Sequence, residues 1–209
     1  WNRRVASLAK EGKEESMRSL RNQLGILAVV TVTGGCLTAG CQRTPEPVVS
    51  TVTPVERGQY LATIGGCNDC HTPFKMGPNG PEPDMSRMLS GHPAELQMPP
   101  PPELPPGPWM WVAAGTNTAF AGPWGVSYSI NLTPDTNTGM GIWTEEMFVR
   151  AMRTGRHMGQ SRPILPPMPW PAVAKMTDDD IKALYAYLRS IPPIENLVPD
   201  AVIAGAPSQ

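Results

Sequence analysis

The chain has 209 residues, with 17 Lys/Arg against 18 Asp/Glu, and 26 prolines. This length holds one domain with a leader, or two very small domains, and a hydrophobic share of 40% is not that of a disordered chain. The near-zero net charge gives no basic surface of the kind that binds nucleic acid, and the abundant proline predicts loops and extended segments with few long helices.

The chain opens on Trp1, and its first methionine is Met17. The codons for Lys13-Glu14, AAR-GAR, can hide a purine-rich ribosome-binding site just before that methionine. Residues 1–16 are therefore read as upstream sequence assigned to the protein in error. Arg18 and Arg21, the apolar run from Leu24 to Val32 and the small residues after it form a secretory leader over 17–40. Its apolar core is too short for a comfortable membrane span. Leu37-Thr38-Ala39-Gly40-Cys41 resembles a bacterial lipobox, which makes Cys41 the expected lipid anchor, with Cys36 as a competitor and ordinary signal-peptidase cleavage as the plain alternative. Residues 1–40 carry six Lys/Arg and three Asp/Glu, which leaves a net charge of −4 on 41–209. Residues 41–53, rich in Pro, Thr and Val, read as an extended tether.

A first helix is expected over 55–65, with Tyr60, Leu61 and Ile64 on one face. It leads into Ile64-Gly65-Gly66-Cys67-Asn68-Asp69-Cys70-His71-Thr72-Pro73. Cys67-x-x-Cys70-His71 is the attachment pattern of a c-type haem. Two thiols one turn apart add across the two porphyrin vinyl groups, and the adjacent imidazole reaches the iron from the same side. A structural zinc site needs four ligands, and too few cysteines remain once Cys36 is cleaved off with the leader and Cys41 is spent on lipid. A redox dithiol expects a βαβ context that is not visible. Export agrees with haem, because this attachment takes place outside the cytoplasm. The sequence holds a single CxxCH, hence one haem. Asn68 and Asp69 read as spacers, and Gly65-Gly66 as a tight turn beside the ring.

The next stretch, about 75–115, contains Met98-Pro-Pro-Pro-Pro-Glu103-Leu-Pro-Pro-Gly107-Pro-Trp109, a polyproline II segment. It reads either as a docking segment for a partner or as a rigid strap over the cofactor edge that buries Trp109, Trp111 and Trp124. A further helix is expected from a Thr144 cap through Glu145-Glu146 to Gly155, with Met147 and Met152 on its core face beside Phe148 and Ala151. Arg150, Arg153 and Arg156 are either its solvated face or partners for propionates.

The second iron ligand has several claimants. Met168, in Pro163-Ile164-Leu165-Pro166-Pro167-Met168-Pro169-Trp170, leads, because the prolines fix φ, exclude a helix and hold a thioether on a stiff loop. His157, just past Gly155, is the rival. The last helix starts at a Thr177 cap, gains from Asp178, Asp179 and Asp180 at its N-terminus, and buries Ile181, Leu184, Tyr185 and Leu188 before Pro192-Pro193 stop it.

Tyr60-Leu61, Cys70-His71-Thr72-Pro73, Pro166-Pro167-Met168-Pro169-Trp170 and the closing Ala183-Leu184-Tyr185-Ala186-Tyr187-Leu188 make residues 54–199 resemble a class I c-type cytochrome. Asn131-Leu132-Thr133-Pro134-Asp135 and the stretch from Thr138 to Thr144 are similar to cytochrome subunits that serve membrane-bound bacterial dehydrogenases. The resemblance implies a mainly α molecule, a cytochrome c fold of about four to five short helices around one haem, with long Pro-rich loops, an insertion over about 75–115 and a tail at 200–209. It implies one covalent haem c held by Cys67 and Cys70, with His71 and Met168 on the iron. The first and last helices are expected to cross, with Gly58 admitting Leu184 and Tyr187. The implied role is that of an electron carrier and not an enzyme. It would work on the periplasmic face of a bacterial membrane through the Cys41 anchor, between a dehydrogenase or reductase donor and a cytochrome or oxidase acceptor. The alternatives are a peroxidase-like haem enzyme or sensor with an open sixth position, and a docking subunit of a dehydrogenase complex.

Overall fold

The structure, a computed structural model, describes residues 52–205, all within the unit Val49–Gln209. The leader, Cys36, Cys41 and most of the tether lie outside the described residues. The chain runs α1 (Pro54–Ile64), α2 (Cys67–His71), β1 (Phe74–Gly77), β2 (Gly80–Pro83), β3 (Val112–Ala113), β4 (Ala119–Gly122), β5 (Gly125–Tyr128), α3 (Glu145–Thr154), α4 (Trp170–Val173), α5 (Asp178–Ser190) and β6 (Val202–Ile203), with single 3-10 turns at Met85–Arg87 and His157–Gly159.

The expectation of a mainly α molecule is overturned. Among the described residues, five helices share the chain with six strands in two antiparallel sheets, β1-β2 and β3-β4-β5-β6. The physical reason lies in the proline- and glycine-rich stretches of the insertion and of the segment just after it. Proline and glycine rule out helices there, and short hairpins pair the backbone instead. Gly77 faces Gly80 across Pro78-Asn79, and Gly122 faces Gly125 across Pro123-Trp124, each a two-residue connection. The strands are two to four residues long, too short for a period-two hydrophobic signal. The segment 202–203, in the stretch read as a tail, pairs with β5.

The helices form for the reasons expected. At Thr53 the side chain accepts from Glu56 N at 3.2 Å, and the Glu56 carboxylate accepts from Thr53 N at 2.9 Å, so a capping box starts α1 with Pro54 in its first turn. Thr144 and Thr177 cap α3 and α5 through the amides of Met147 and Asp180. Such caps contribute about 1 kcal/mol each.

The face of α1 differs from the expected one. Gly58, Leu61 and Ala62 are buried, while Tyr60 and Ile64 are 55% and 61% exposed. The cause is the crossing with α5. A Cβ on Gly58 would overlap the Ala183 carbonyl and lie 2.7 Å from the Tyr187 Cβ. The bare glycine therefore admits the α5 backbone at Ala183 and Tyr187, and the expected Leu184 is not among its nearest neighbours. Arg57 and Asp180 close the outside of the crossing at 2.8 Å.

Ile181, Leu184 and Leu188 of α5 meet Phe148, Ala151 and Met152 of α3, together with Met140 and Trp143, in one core. The Tyr185 hydroxyl donates to the Trp143 carbonyl at 2.7 Å. Arg153 ties α3 to the start of α5, donating to the carbonyls of Ala174 and Met176 and to Asp178. The proline run 98–108 carries no helix or strand. Trp109 and Trp111 are 76% and 45% exposed, so the protein's own residues do not bury them.

Candidate cofactor site

Gly66 adopts φ +66, a left-handed conformation that suits glycine, and turns the end of α1 directly into α2. The short α2 places Cys67, Cys70 and His71 on one wall of a cavity of about 360 Å³. That size falls within the roughly 300–1,000 Å³ of small-molecule and cofactor pockets. The other walls come from Phe120 and Tyr128 of the larger sheet, from Met140, Trp143, Phe148 and Met152 of the core, and from Ile164, Leu165 and Met168 of the proline loop.

His71 is buried, and its Nδ1 lies 2.9 Å from the Ile130 carbonyl. A carbonyl only accepts, so Nδ1 carries the proton and Nε2 keeps a free lone pair. Burial lowers the His71 pKa, which favours the neutral ligand form. The same carbonyl-held arrangement orients metal-binding histidines generally. Behind it, Thr72 is fully buried, donates to Asn68 Oδ1 at 2.7 Å and accepts from Leu89 N at 2.8 Å. Asn68 is therefore a structural partner and not merely a spacer.

The two thiols are free. Burial, with Asp69 adding to it, pushes the Cys67 thiol up to about 11, and burial likewise raises Cys70. A redox-active dithiol shows the opposite, a depressed pKa. Two neutral thiols, an imidazole nitrogen without a hydrogen bond among the described residues and a nearby thioether, all on one apolar-walled cavity, fit the chemistry of a covalently held haem.

Met168 is half-buried against the core and lines the cavity. Its loop is anchored where Ile164 N donates to the Gly155 carbonyl at 2.8 Å. Trp170 covers Gly155, whose φ of +64 and lack of a side chain leave room for the indole. His157 reaches the same cavity, stacked edge-on upon Trp143 at 5.0 Å, with its pKa lowered by burial and then by Arg162. The structure thus brings both claimants for the second axial position to one space. His92 is removed from the contest: it is fully buried, with Nδ1 at 2.9 Å from Thr118 Oγ1 and Nε2 at 3.2 Å from the Leu96 carbonyl.

Among the arginines considered for propionates, Arg153 is spent on α4–α5 backbone and Asp178, and Arg156 donates to the Ser161 carbonyl. Arg162 lines the cavity instead. Its only sequence signal is its position directly before the proline loop. Ile130 and Asn131 carry no local signal as positioning residues, although Asn131 opens the Asn-Leu-Thr-Pro-Asp stretch. Asn131 is 2% exposed, accepts from Thr133 N at 2.9 Å and donates to the Ile194 carbonyl at 2.8 Å. It pins the segment that presents the Ile130 carbonyl to His71.

A family model described as Cytochrome c matches residues 55–192. The chain is 31% identical over 150 residues to the cytochrome c subunit of alcohol dehydrogenase (quinone) from Gluconobacter oxydans (strain 621H), covering 70% of this chain and 24% of that protein. It is 30% identical over 144 residues to the fructose dehydrogenase cytochrome subunit of Gluconobacter japonicus, covering 69% and 22%. It is 30% identical over 150 residues to the gluconate 2-dehydrogenase cytochrome c subunit of Pantoea cypripedii, covering 71% and 26%. The chain spans about a quarter of the length of these curated relatives. With the class I resemblance upheld, the chain belongs to the cytochrome c family, and its cofactor is covalently attached haem c.

Proposed function

We propose that this chain is a single-haem electron carrier in which Cys67 and Cys70 hold the haem and His71 and Met168 ligate its iron. The observation that carries the reading is the meeting of all four side chains on one apolar cavity. Cys67 and Cys70 would hold the haem through two thioether links, each formed by adding S–H across a vinyl group, with the hydrogen passing to the neighbouring carbon and no outside oxidant or reductant needed. Bound haem c supplies the one-electron couple. His71 presents Nε2 while Ile130 holds Nδ1. Met168 would supply the second ligand, and a thioether paired with histidine would raise the potential. Phe120, Trp143 and Phe148 exclude water from the ring.

Its partners are a dehydrogenase or reductase that donates electrons and a cytochrome or oxidase that accepts them, met through small transient contacts. The relatives named as cytochrome subunits of dehydrogenases support this. The protein works on the periplasmic face of a bacterial membrane, exported by the leader and held there by acylated Cys41. Intact-mass analysis of the mature chain tests the anchor, and an unacylated N-terminus beyond Cys41 would remove it.

The second reading is a haem with His157, or nothing firmly bound, on the sixth position. The presence of His157 on the cavity wall favours it. Two readouts separate them: the long-wavelength band of the oxidised form marks Met168 rather than His157 on the iron, and carbon monoxide added to the reduced protein marks an open sixth position. A carrier with Met168 on the iron resists the gas, whereas an open iron binds it at once.

A further inference from the structure

Pro163, Pro166, Pro167 and Pro169 have no amide hydrogen, so the loop around Met168 cannot hold itself to its surroundings by donating backbone bonds there. Its ends are fixed, by Ile164 N on the Gly155 carbonyl and by Ala172 N on the Pro169 carbonyl at 2.9 Å. Between those ends, among the described residues, one hydrogen bond reaches the loop from another element: Ser127 Oγ lies 2.6 Å from the Pro166 carbonyl. Ser127 sits on β5 and is 8% exposed. Its hydroxyl has one proton to give. The Phe120 carbonyl at 3.5 Å is the poorer acceptor, so the proton goes to Pro166. Trp124 Nε1, at 3.3 Å, then donates to the Ser127 oxygen. A relay therefore runs from Trp124 through Ser127 to the residue two positions before Met168.

We propose that Ser127 is a positioning residue for the second axial ligand: its hydrogen bond to the Pro166 carbonyl holds the proline loop so that the Met168 thioether stays on the iron. This rests on the reading of Met168 as that ligand. It also gives the larger sheet a role in the site, since β5 holds Ser127 opposite Phe120 of β4, and the ring of Trp124, in the turn between the two strands, lies over Gly122. Losing one neutral hydrogen bond raises the detached fraction of the thioether by about two- to ten-fold. The rate at which a competing ligand enters scales with that fraction.

The test uses the purified holoprotein as wild type, Ser127→Ala, Ser127→Thr, Ser127→Cys and Met168→Ala. Three quantities are read: the long-wavelength methionine–iron band of the oxidised form, the rate of carbon monoxide binding to the reduced form, and the thermal midpoint. Ser127→Ala is expected to keep its covalent haem and its band but to bind carbon monoxide about two- to ten-fold faster, with Ser127→Thr restored to the wild-type rate. A lowered midpoint with an unchanged binding rate would reduce Ser127 to a purely structural part and overturn the proposal. If Ser127→Ala does not fold, Ser127→Cys keeps the size of the side chain but puts a weak donor in the same place, and a wild-type rate there overturns the proposal equally. Met168→Ala separates the layers. If it opens the iron while Ser127→Ala does not change the rate, the relay alone fails; if it leaves both the band and the rate unchanged, the ligand reading fails and the relay with it.

Discussion

The imidazole of His71 and the carbonyl of Ile130 face each other at 2.9 Å. That one contact decides the tautomer, because the carbonyl can only accept, and it leaves Nε2 with the free lone pair that a metal would take. Ile130 belongs to neither sheet nor helix. What keeps its carbonyl in place is the next residue, Asn131, buried and bonded on both ends of its amide.

Asn131→Ala leaves the Thr133 amide without its partner in a buried setting, while the Ile194 carbonyl keeps the Thr133 hydroxyl at 3.2 Å. The expected cost is about 1–3 kcal/mol for the group left unsatisfied, read from urea unfolding of the holoprotein. Asn131→Asp keeps the acceptor that serves Thr133 N and loses the donor to Ile194, and is expected to fall between wild type and alanine. A loss within experimental error for the alanine variant would show that the segment holds Ile130 by other means.

Gly58→Ala tests the helix crossing. Its methyl would overlap the Ala183 carbonyl, a backbone atom that cannot swing aside. Overpacking of this kind costs about 1–3 kcal/mol, more than alanine's better helix propensity, about 1 kcal/mol, returns. The unfolding midpoint checks it, and a stabilised variant would mean the helices slide apart freely.

The site was legible in the sequence wherever chemistry demands fixed spacing. Cys67-x-x-Cys70-His71 announced itself, and the prolines around Met168 marked a stiff loop, which lies on the same cavity. Caps at Thr144 and Thr177 were equally plain, because a side-chain oxygen followed by acidic residues is a local signal. The strands were not legible. Ala119–Gly122 and Gly125–Tyr128 are too short to show alternation, and their pairing depends on partners distant in sequence, as when β6 joins β5. For the same reason the links from Ile130 to His71 and from Ser127 to Pro166 were invisible: they span 59 and 39 residues. Ile64 was placed on the wrong side because periodicity finds an apolar stripe but not the partner helix, and here the partner selects Gly58, Leu61 and Ala62.

The outside of that crossing responds to acid. The hydrogen bond from Arg57 holds the Asp180 carboxyl below its ordinary 3.8. A group with a folded pKa below its unfolded one contributes stability that is fully present above the unfolded value and is lost as pH falls through the folded one. Asp180→Asn is therefore expected to destabilise the protein at pH 7 by less than about 1 kcal/mol, since the pair is largely solvated. The difference from wild type should shrink as pH drops below 3.8. Urea titrations at neutral and acid pH measure both, and a difference that grows on acidification would contradict the assignment.

Covalent attachment is checked one thiol at a time. Cys67→Ala and Cys70→Ala each leave a single C–S link, and the double variant leaves none. Haem staining after denaturing electrophoresis should persist in weakened form in the single variants and vanish in the double one. Staining that survives the double substitution would place the attachment elsewhere.

The most direct measurement of the central claim compares Met168→Ala with His157→Ala in the purified holoprotein, by the oxidised spectrum and by carbon monoxide binding to the reduced form. With Met168 on the iron, the wild type shows the long-wavelength methionine–iron band and resists the gas, Met168→Ala loses the band, binds carbon monoxide rapidly and has a lower reduction potential, and His157→Ala behaves as wild type. A Met168→Ala protein that keeps the wild-type spectrum, beside a His157→Ala protein that opens the iron, would contradict the account.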